Sequence, residues 1–500
     1  MSFPTAVEAE LDRRRRRWRP LLWLAVLALA GAVLVAVLLL VRVLQSGTPY
    51  YPDEETHFRH GSIGAETASG IPYKVWKALP TLFPEAFGTT GDYRAFGFLY
   101  DEDDDLPIGI SRRTVSGVEL VWFNCAVCHT GTVRNSTEDP PLTISGMPAQ
   151  QLDLHLFTRF VLAASRDPRM APAPLSAAMR DSGVGLDPVE ALLWKVAVFP
   201  RLREGMIDRA ARLSPLLDRQ PDWGPGRVDT FNPYKVLAFD DDARALSDQE
   251  VVGASDFPSI FQQRPREGMQ LHWDGNNTSL AERNLSAALG AGVTPQTADH
   301  AAIERVARWL GDLTPPASPH RPDAAAADRG KAVYMETCAA CHGYRGDQGY
   351  VFEGARLGTV EPLASVGTDP ARLNSYTPTF QQAQLRELFA GTPYAFRQFR
   401  KTNGYANAPL DGLWLRGPYL HNGSVPTLRD LLRPPDERPA SFRRGRDVID
   451  PDGGFVSPAC TEGPGCYDTS LPGNSNTGHL WGTALPEAQT SDLLAYLLTF

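Results

Sequence analysis

The chain has 500 residues, of which 43% are hydrophobic and 21% are charged, as in globular proteins of two or three domains. The net charge is −9, but residues 1–44 are basic, and the remainder carries 42 basic against 55 acidic residues. Because nucleic-acid binding depends on neutralising phosphates, this acidic body argues against a nucleic-acid partner and favours small cations or basic protein surfaces.

The N-terminus has the pattern of a membrane anchor. Six Arg between positions 13 and 19 precede the run 21–41, which is uncharged and almost entirely apolar. At about 1.5 Å per residue this run would span about 30 Å, the thickness of a bilayer's hydrocarbon core. The excess of Arg before the run predicts a cytoplasmic basic tail over 1–20, a transmembrane signal anchor over 21–43, and a body exported to the periplasm and held at the inner membrane. A cleavable signal peptide and a buried soluble helix are the alternatives.

Two units are predicted after this anchor and a short tether that ends near Tyr50. The first spans residues 50–314 and the second spans 325–500, with a linker rich in Pro and Ala over 314–328. The stretch near 165–270 is rich in Pro and Arg and has few strand patterns. We interpret it as helices and long loops inserted in the first unit.

The same five-residue pattern, C-x-x-C-H, occurs once in each unit. The two pentads consist of Cys125, Cys128 and His129, and of Cys338, Cys341 and His342. This pattern is typical of covalent haem c attachment, in which both thiols bond to the haem and the His binds iron. A zinc or iron–sulfur site built from the four thiolates is the alternative, but it leaves the two His unexplained. We therefore predict two covalently bound haem c groups, with His129 and His342 as iron ligands.

The second unit has the layout of a class I cytochrome c. An Ala-rich helix leads into its pentad with Gly330 and Tyr334 on one face, and the segment 485–500 predicts a final helix that carries Tyr496. A Gly on the first helix allows the final helix to cross closely, with the two Tyr packed at the crossing. In the first unit the residues before the pentad are β-branched and aromatic, which favours a helix less. The predicted fold class is mainly α, with two class I cytochrome c-like haem domains, long loops, a helical insertion and one preceding transmembrane helix.

The second haem has a short list of candidates for its sixth ligand. Class I cytochromes normally use a Met from the C-terminal half of the domain, but no Met occurs after Met335. The remaining candidates are His421 and His479. The second haem is therefore predicted to be bis-histidine, or five-coordinate if neither His reaches iron.

The first haem has no comparable list. Met147, His155 and Met170 could reach it, although His155 lies on an amphipathic helix, where packing is the more ordinary role. An open sixth position would make this haem a site for peroxide or dioxygen instead of a pure electron carrier.

The two remaining cysteines, Cys460 and Cys466, lie in the Gly- and Pro-rich stretch CTEGPGC. In an oxidising compartment we expect them to form a disulfide that closes a short loop and has a structural role.

Several stretches of the chain resemble one known family. They are GIPYKVWKALPTLFP, NCAVCHTGTVR, LHWDGNNTSLAERNLSAALGAG, CAACHG, PLDGLWLRGPYLHNGSVPTLRDLL and GNSNTGHLWGT. In these stretches the chain resembles the dihaem rubber-oxygenase-like cytochromes, relatives of the bacterial dihaem cytochrome c peroxidases and of the dihaem enzyme that matures methylamine dehydrogenase. The resemblance covers most of residues 55–500 and is thin across 165–265.

The resemblance implies a division of labour between the haems. One haem reacts with the oxidant and the other relays electrons, with a Trp between them that matches Trp273; a Trp that only packs in the core is the alternative. Catalytic roles would then fall on Trp273 and on His129. The resemblance also implies a bis-histidine C-terminal haem whose second His lies near the end of the chain, which favours His479 over His421.

The sequence thus predicts a membrane-anchored periplasmic oxidoreductase of peroxidase or oxygenase type, with peroxide or dioxygen and a redox partner protein as its partners. Because the latex-cleaving members are secreted and this chain is expected to be anchored, a small substrate or a neighbouring protein is expected here. A plain electron-transfer cytochrome with two six-coordinate irons is the alternative. The acidic run 101–105 is interpreted as a solvated loop at which a basic redox partner could dock.

Overall fold

The computed structural model describes residues 6–102 and 104–500. Helix accounts for 43% and strand for 12%, so the fold is mixed and the expectation of a mainly α protein is corrected. The difference arises because small antiparallel sheets, which were not predicted from the sequence, lie beside both pentads. Each strand is too short to show a clear alternation of apolar and polar residues.

The helices are mostly short and are joined by long loops. They are α1 (Ala6–Val43), α2 (Glu54–His60), α3 (Ala65–Ser69), α4 (Tyr73–Leu82), α5 (Pro84–Phe87), α6 (Leu154–Ala164), α7 (Pro172–Asp181), α8 (Pro188–Leu193), α9 (Phe199–Leu217), α10 (Asn232–Ala238), α11 (Leu280–Gly290), α12 (His300–Asp312), α13 (Ala324–Thr337), α14 (Ala339–His342), α15 (Leu363–Val366), α16 (Ala371–Ser375), α17 (Pro378–Glu387), α18 (Leu428–Leu431) and α19 (Glu487–Leu497).

The strands form small antiparallel sheets. They are β1 (Ile71–Pro72), β2 (Ile110–Val115), β3 (Val118–Phe123), β4 (Thr130–Val133), β5 (Leu142–Ser145), β6 (Arg227–Asp229), β7 (Ala254–Asp256), β8 (Tyr344–Gly346), β9 (Gly349–Val351), β10 (Val360–Pro362), β11 (Gly404–Ala406), β12 (Ser441–Arg443) and β13 (Cys466–Asp468). One sheet has the order β1-β3-β2, and the other strands pair two by two, β4 with β5 through to β12 with β13.

Helix α1 is long and apolar enough to cross a membrane over Arg13–Val43, and it lies outside the packed body. A membrane anchor and a signal sequence both fit this helix. Its end is fixed to the first unit, because the Arg42 guanidinium contacts the carboxylates of Asp187 and Glu190 at 2.6 and 2.8 Å. The residues just after α1 also pair with β2. The expected tether is therefore held against the first unit.

The first pentad is reached through a β-hairpin. Strands β2 and β3 pair along their whole length, and the chain passes from Phe123 through Asn124 to Cys125. The expected class I layout, with a helix before the pentad, is corrected here for the first unit. The physical reason is the β-branched and aromatic composition of β3, whose Val121 and Phe123 are buried on one face.

The second unit contains the expected helix crossing. Helices α13 and α19 approach so closely that a Cβ on Gly330 would lie 1.9 Å from the carbonyl oxygen of Asp492. The rings of Tyr334 and Tyr496 pack nearby, with centroids 5.1 Å apart and planes at 63°. The crossing predicted from the Gly and Tyr spacing is confirmed.

The linker region between the units lies against the second unit. Helix α12 ends at Asp312 and α13 begins at Ala324. Between them Pro316 accepts a hydrogen bond from the indole of Trp414 at 3.1 Å, and the Ser318 hydroxyl donates to the carbonyl of Leu498 at 2.6 Å. The unit boundaries at 50–314, 314–328 and 325–500 stay predictions.

Candidate haem sites

The first pentad is held on both sides by backbone contacts. Asn124 caps the short 3-10 turn Cys125–Val127, because its side-chain oxygen accepts from the amide of Ala126 at 2.9 Å. After the pentad, the carbonyl of His129 accepts from the amide of Gly146 at 2.7 Å, which attaches it to the β4–β5 hairpin. The turn therefore fixes the two thiols and the imidazole relative to one another.

The second pentad follows directly from a helix. Cys338 ends α13, and the short helix α14 carries the rest of the pentad to His342. Gly343 then has φ +69°, and a Cβ there would lie 2.5 Å from the carbonyl of Val351, so that only Gly fits this turn into the β8–β9 hairpin. The helix and the Gly turn together set the direction of the His342 ring.

The two pentad histidines are held in the same way. The Nδ1 of His129 lies 2.9 Å from the carbonyl of Pro258, and that of His342 lies 2.8 Å from the carbonyl of Ala408. Because a carbonyl only accepts, each Nδ1 carries the proton and each Nε2 keeps its lone pair, as in metal-binding histidines. Burial lowers the pKa of His129 to about 4 and also lowers the pKa of His342, so both rings are neutral near pH 7. These donor sets fit two haem irons.

His479 lies across from His342. The two ring centroids are 6.3 Å apart, with the planes at 40°. A nitrogen binds a metal at about 2.0 Å and lies about 1.1 Å from its ring centre, so two rings flanking one metal ion have centroids roughly 6 Å apart. The Nδ1 of His479 is buried without a hydrogen-bond partner, and burial next to His342 lowers the pKa of His479 to about 3. The spacing fits one iron between the two rings.

His421, the other candidate for this position, has a different environment. Its ring stacks on that of Tyr405 with centroids 4.0 Å apart, and its Nε2 lies 3.0 Å from the Tyr405 hydroxyl. Its carbonyl accepts from the amide of Asp256, which belongs to β7 of the first unit. The structure therefore places His421 in a buried polar contact between the units.

Trp273 is connected to the first pentad. Its indole Nε1 donates to the carbonyl of Asp256 at 2.9 Å. Two residues further along the chain, the carbonyl of Pro258 accepts from Nδ1 of His129. Two hydrogen bonds and a three-residue stretch of backbone thus join the indole to the first imidazole.

Trp273 is connected to the second pentad in a matching way. Its own carbonyl accepts from the amide of Ala406 at 2.8 Å. Two residues further along, the carbonyl of Ala408 accepts from Nδ1 of His342. A continuous path of covalent and hydrogen bonds therefore runs from one pentad histidine to the other through Trp273, and we call it the Trp273 path.

The four pentad thiols do not come together. Cys128 packs against a hydrophobic cluster of the first unit, Cys125 packs against a cluster formed by residues of both units, and Cys338 packs against the cluster around Tyr334 in the second unit. Within residues 6–102 and 104–500, the one group of three His, Cys or acidic side chains close enough to share a metal ion contains no thiol. A single zinc or iron–sulfur site on four thiolates is therefore incompatible with this arrangement.

The acidic run is only partly solvated. Asp101 contacts the Arg59 guanidinium at 2.6 Å and the His60 ring at 3.0 Å, and Asp104 lies 3.2 Å from the same ring. Asp105 pairs with Arg112 at 3.0 Å. These ion pairs attach much of the run to the first unit and reduce the free negative charge offered to a partner.

The candidates named from the sequence for the first haem occupy packing positions. Met147 is fully buried in a cluster with Phe261, and Met170 packs against the core of the first unit. His155 packs edge-on against Trp223 with centroids 4.8 Å apart. The two Met side chains therefore pack in the core, and His155 also places its Nε2 3.3 Å from a carboxylate oxygen of Asp222.

Two residues that the sequence analysis missed lie near the first pentad instead. The Arg283 guanidinium of α11 adds to the effect of burial in lowering the pKa of both His129 and His272. It also lies close enough to the Cys125 thiol to affect its pKa, although burial dominates and raises that pKa to about 11. No rule of residue spacing identifies an isolated His or Arg as a site residue. The one sequence feature that pointed to His272 was its position directly before Trp273.

The two remaining cysteines, Cys460 and Cys466, are joined by a disulfide with an S–S distance of 2.01 Å. The bond closes a loop that leads into β13, where Cys466 pairs with Arg443 of β12. The disulfide is remote in sequence from both pentads and belongs to the framework of the second unit.

Two families match parts of the second unit. Residues 404–443 match the family described as RoxA-like, cytochrome c-like, and residues 325–391 match the family described as Cytochrome C oxidase, cbb3-type, subunit III. The second match contains the whole second pentad. The C-terminal part of the chain is cytochrome c-like. This supports covalently bound haem c and haem-based electron transfer or oxidoreduction.

Two curated proteins of Sinorhizobium fredii, both named only as uncharacterized, are similar to this chain. Protein y4iM is 33% identical over 253 residues, which cover 45% of this chain and 56% of that protein. Protein y4iJ is 26% identical over 623 aligned positions, which cover 98% of this chain and all of that protein. The chain thus spans just over half the length of the first relative. Neither name supplies an activity, so the function rests on the sites.

Proposed function

We propose that the protein is a membrane-anchored periplasmic dihaem c-type oxidoreductase of peroxidase or oxygenase type. Bound haem iron would supply one-electron chemistry and, where its sixth position is open, a binding place for a small oxidant. The first pentad would hold the haem at which peroxide or dioxygen binds. The second would hold the relay haem, with His342 and His479 as iron ligands. Electrons would come from a redox partner protein.

The Trp273 path is the observation that carries this proposal. It couples the two predicted iron ligands, His129 and His342, through one residue, by four hydrogen bonds of 2.8 to 2.9 Å: the indole of Trp273 faces the first site and its main-chain carbonyl faces the second. An indole is oxidised far more readily than an aliphatic side chain, so Trp273 can hold a transient electron vacancy between the two sites. This favours a relay role over simple packing.

The contrast between the two sites supports the assignment of the oxidant to the first. His342 faces His479 at a spacing that fits two ligands on one iron. The sequence candidates for the first haem, Met147 and His155, are engaged in packing. A small ligand would therefore meet an accessible iron at the first site. A non-catalytic electron-transfer cytochrome is the alternative, and it would bind no exogenous ligand.

Rapid mixing with peroxide tests the relay. In Trp273→Phe the indole donor to Asp256 is lost, and we expect oxidation of the second haem to slow by about tenfold or more while ligand binding at the first is unchanged. Trp309→Phe is the matched control, since Trp309 packs against Phe58 beside Cys125 but lies off the path. Equal rates in Trp273→Phe and wild type would remove Trp273 from the relay.

A further inference from the structure

His272 is a half-buried histidine that the Trp273 path does not use. Its ring stacks on Phe399, with centroids 6.2 Å apart and planes at 22°. Phe399 belongs to the hydrophobic cluster against which Cys125 packs. The same cluster therefore connects the His272 ring with a thiol of the first pentad.

The hydrogen bond of His272 leaves one nitrogen free. Its Nδ1 lies 2.6 Å from the amide oxygen of Asn276, a fully buried residue. Because the amide oxygen accepts, Nδ1 carries the proton, and Nε2 keeps a lone pair that can take up a proton. His129 and His342 are held in the same manner, each with Nδ1 on a carbonyl oxygen.

The backbone of His272 is in an unusual conformation. Its φ is +64°, and His479 has φ +50°. All ten histidines lie in the described part of the chain, and these two are the ones with positive φ. A non-glycine residue adopts the left-handed conformation at a cost in energy, which the surrounding contacts must offset. Such residues are found more often at functional sites. The fold thus constrains the backbone at both histidines, of which His479 faces His342 and His272 stacks on the cluster that Cys125 also contacts.

The charges around His272 are unevenly compensated. Asp274 pairs with Arg372 at 3.1 Å, so these two neighbours neutralise each other. Arg283, in contrast, donates its hydrogen bonds to the amide oxygen of the adjacent Asn284, and it has no carboxylate partner among the described residues. Burial lowers the pKa of His272 to about 4, and Arg283 acts in the same direction. A neutral imidazole and a half-buried guanidinium with no carboxylate partner among the described residues therefore act on each other here.

We propose that His272 is the proton acceptor of the first site and that Arg283 stabilises the anion formed there. This inference rests on the proposed oxidant-binding role of the first site. The ligand class is a small weak acid, such as hydrogen peroxide or hydrogen cyanide. With hydrogen cyanide, the C–H bond would break, its electron pair would stay on the carbon that a bound haem iron would take as its ligand, and the proton would move to Nε2 of His272. No electron is transferred in this step, so no reductant is needed.

Cyanide association with the ferric full-length protein tests the proposal without a variant. If His272 accepts the proton, neutral hydrogen cyanide reacts directly, and the rate constant stays nearly level between about pH 6 and 8. Without such a base only the cyanide anion reacts, and the rate constant rises about tenfold per pH unit. A rise of that size in wild type would overturn the proposal.

Variants of His272 and Arg283 test the same proposal independently. His272→Gln keeps a polar side chain of similar size but cannot take the proton, and should slow cyanide association by about a hundredfold. Carbon monoxide binding to the ferrous protein releases no proton and should be unchanged. Arg283→Gln should speed cyanide dissociation by about tenfold. His300→Gln is the matched control, since it removes an imidazole stacked on Tyr394 in the neighbouring aromatic cluster.

The outcomes separate this proposal from the proposed function. Equal cyanide rates in wild type and His272→Gln would contradict the role of His272 while the first site remains open to ligands. A change from low-spin to high-spin haem in His272→Gln would make His272 an iron ligand, which also overturns the proposal. Failure of wild type to bind any exogenous ligand would contradict the proposed function itself.

Discussion

Hydrogen-bond partners distinguish the histidines of this protein by role. His129 and His342 each place Nδ1 on a backbone carbonyl and leave Nε2 free, which is the arrangement that a metal ligand needs. His421 places its Nε2 on the Tyr405 hydroxyl, so the nitrogen that would bind iron is already engaged. His479, like His57, His155 and His320, has a buried ring nitrogen without a hydrogen-bond partner, and its ring also faces that of His342 at 6.3 Å between centroids. The local chemistry therefore favours His479 as the second ligand of the relay haem.

Replacement of His479 tests this assignment. His479→Ala should convert one of the two haems from low to high spin, because the sixth ligand is lost, and electron paramagnetic resonance of the ferric protein would detect the change. His421→Ala is the control: it should leave the spin state unchanged but lower the free energy of unfolding by about 1–3 kcal/mol, since the buried Tyr405 hydroxyl loses a partner. The reverse spin pattern would assign the ligand to His421.

The sequence identified residues whose chemistry depends on spacing. The pentads follow from two Cys and a His at fixed offsets, and His479 follows from the lack of Met after Met335 together with the family resemblance. His272 and Arg283 carry no spacing signal, because they reach the first pentad only through tertiary packing. An isolated His has ordinary packing roles as well, so no residue spacing in the sequence distinguished His272 from the other histidines.

Among the elements, the helix crossing of the second unit was predictable and the hairpin of the first was not. Gly330 and Tyr334 lie one helical turn apart, and Tyr496 lies on a clearly apolar helix, so pattern alone placed the contact. Strands β2 and β3 are six residues each, and their composition only weakened the case for a helix. Whether such a segment forms a strand or a helix depends on pairing with another strand, and the pattern of a single sequence does not show that pairing.

The Gly330 contact can be tested by adding one methyl group. Gly330→Ala places Cβ 1.9 Å from the Asp492 carbonyl, and should lower the free energy of unfolding by roughly 1–3 kcal/mol in urea unfolding followed by circular dichroism. Gly205→Ala in α9 is the matched control, since nothing lies within 4 Å of its added Cβ. That change should stabilise the protein by roughly 0.5–1 kcal/mol. A neutral Gly330→Ala would mean that the helices do not cross here.

Across the whole molecule, contacts between distant parts of the chain determine how the sites are coupled. Asp256 of β7 supplies its carbonyl to Trp273 and its amide to the carbonyl of His421. Its carboxylate also contacts Arg444 of the second unit at 2.8 Å. The units therefore meet in a buried polar contact beside the Trp273 path. The sequence suggested a bridging Trp by resemblance, but the partners of its indole and carbonyl became known only from the fold.

Helix α1 is either a membrane anchor or a cleaved signal sequence, and the two roles predict different mature proteins. If α1 is an anchor, the mature protein keeps residues 1–44, sediments with membranes and resists carbonate extraction, because an apolar helix of this length stays in the bilayer. Intact mass spectrometry of the protein from its native membrane would show the full chain plus the covalent haems. A mature N-terminus between residues 40 and 55, with the protein in the soluble fraction, would identify α1 as a cleaved signal sequence.

We propose that the first site is open to small ligands and that the second is closed by His479. Carbon monoxide titration of the fully reduced protein tests it most directly, with the haems counted on the same sample by the pyridine haemochrome method. We expect two covalent haems per chain and one carbon monoxide bound per two haems. Binding of no carbon monoxide would show two closed irons and support the electron-transfer alternative. Binding of two would show that the second iron is also open and contradict the relay assignment.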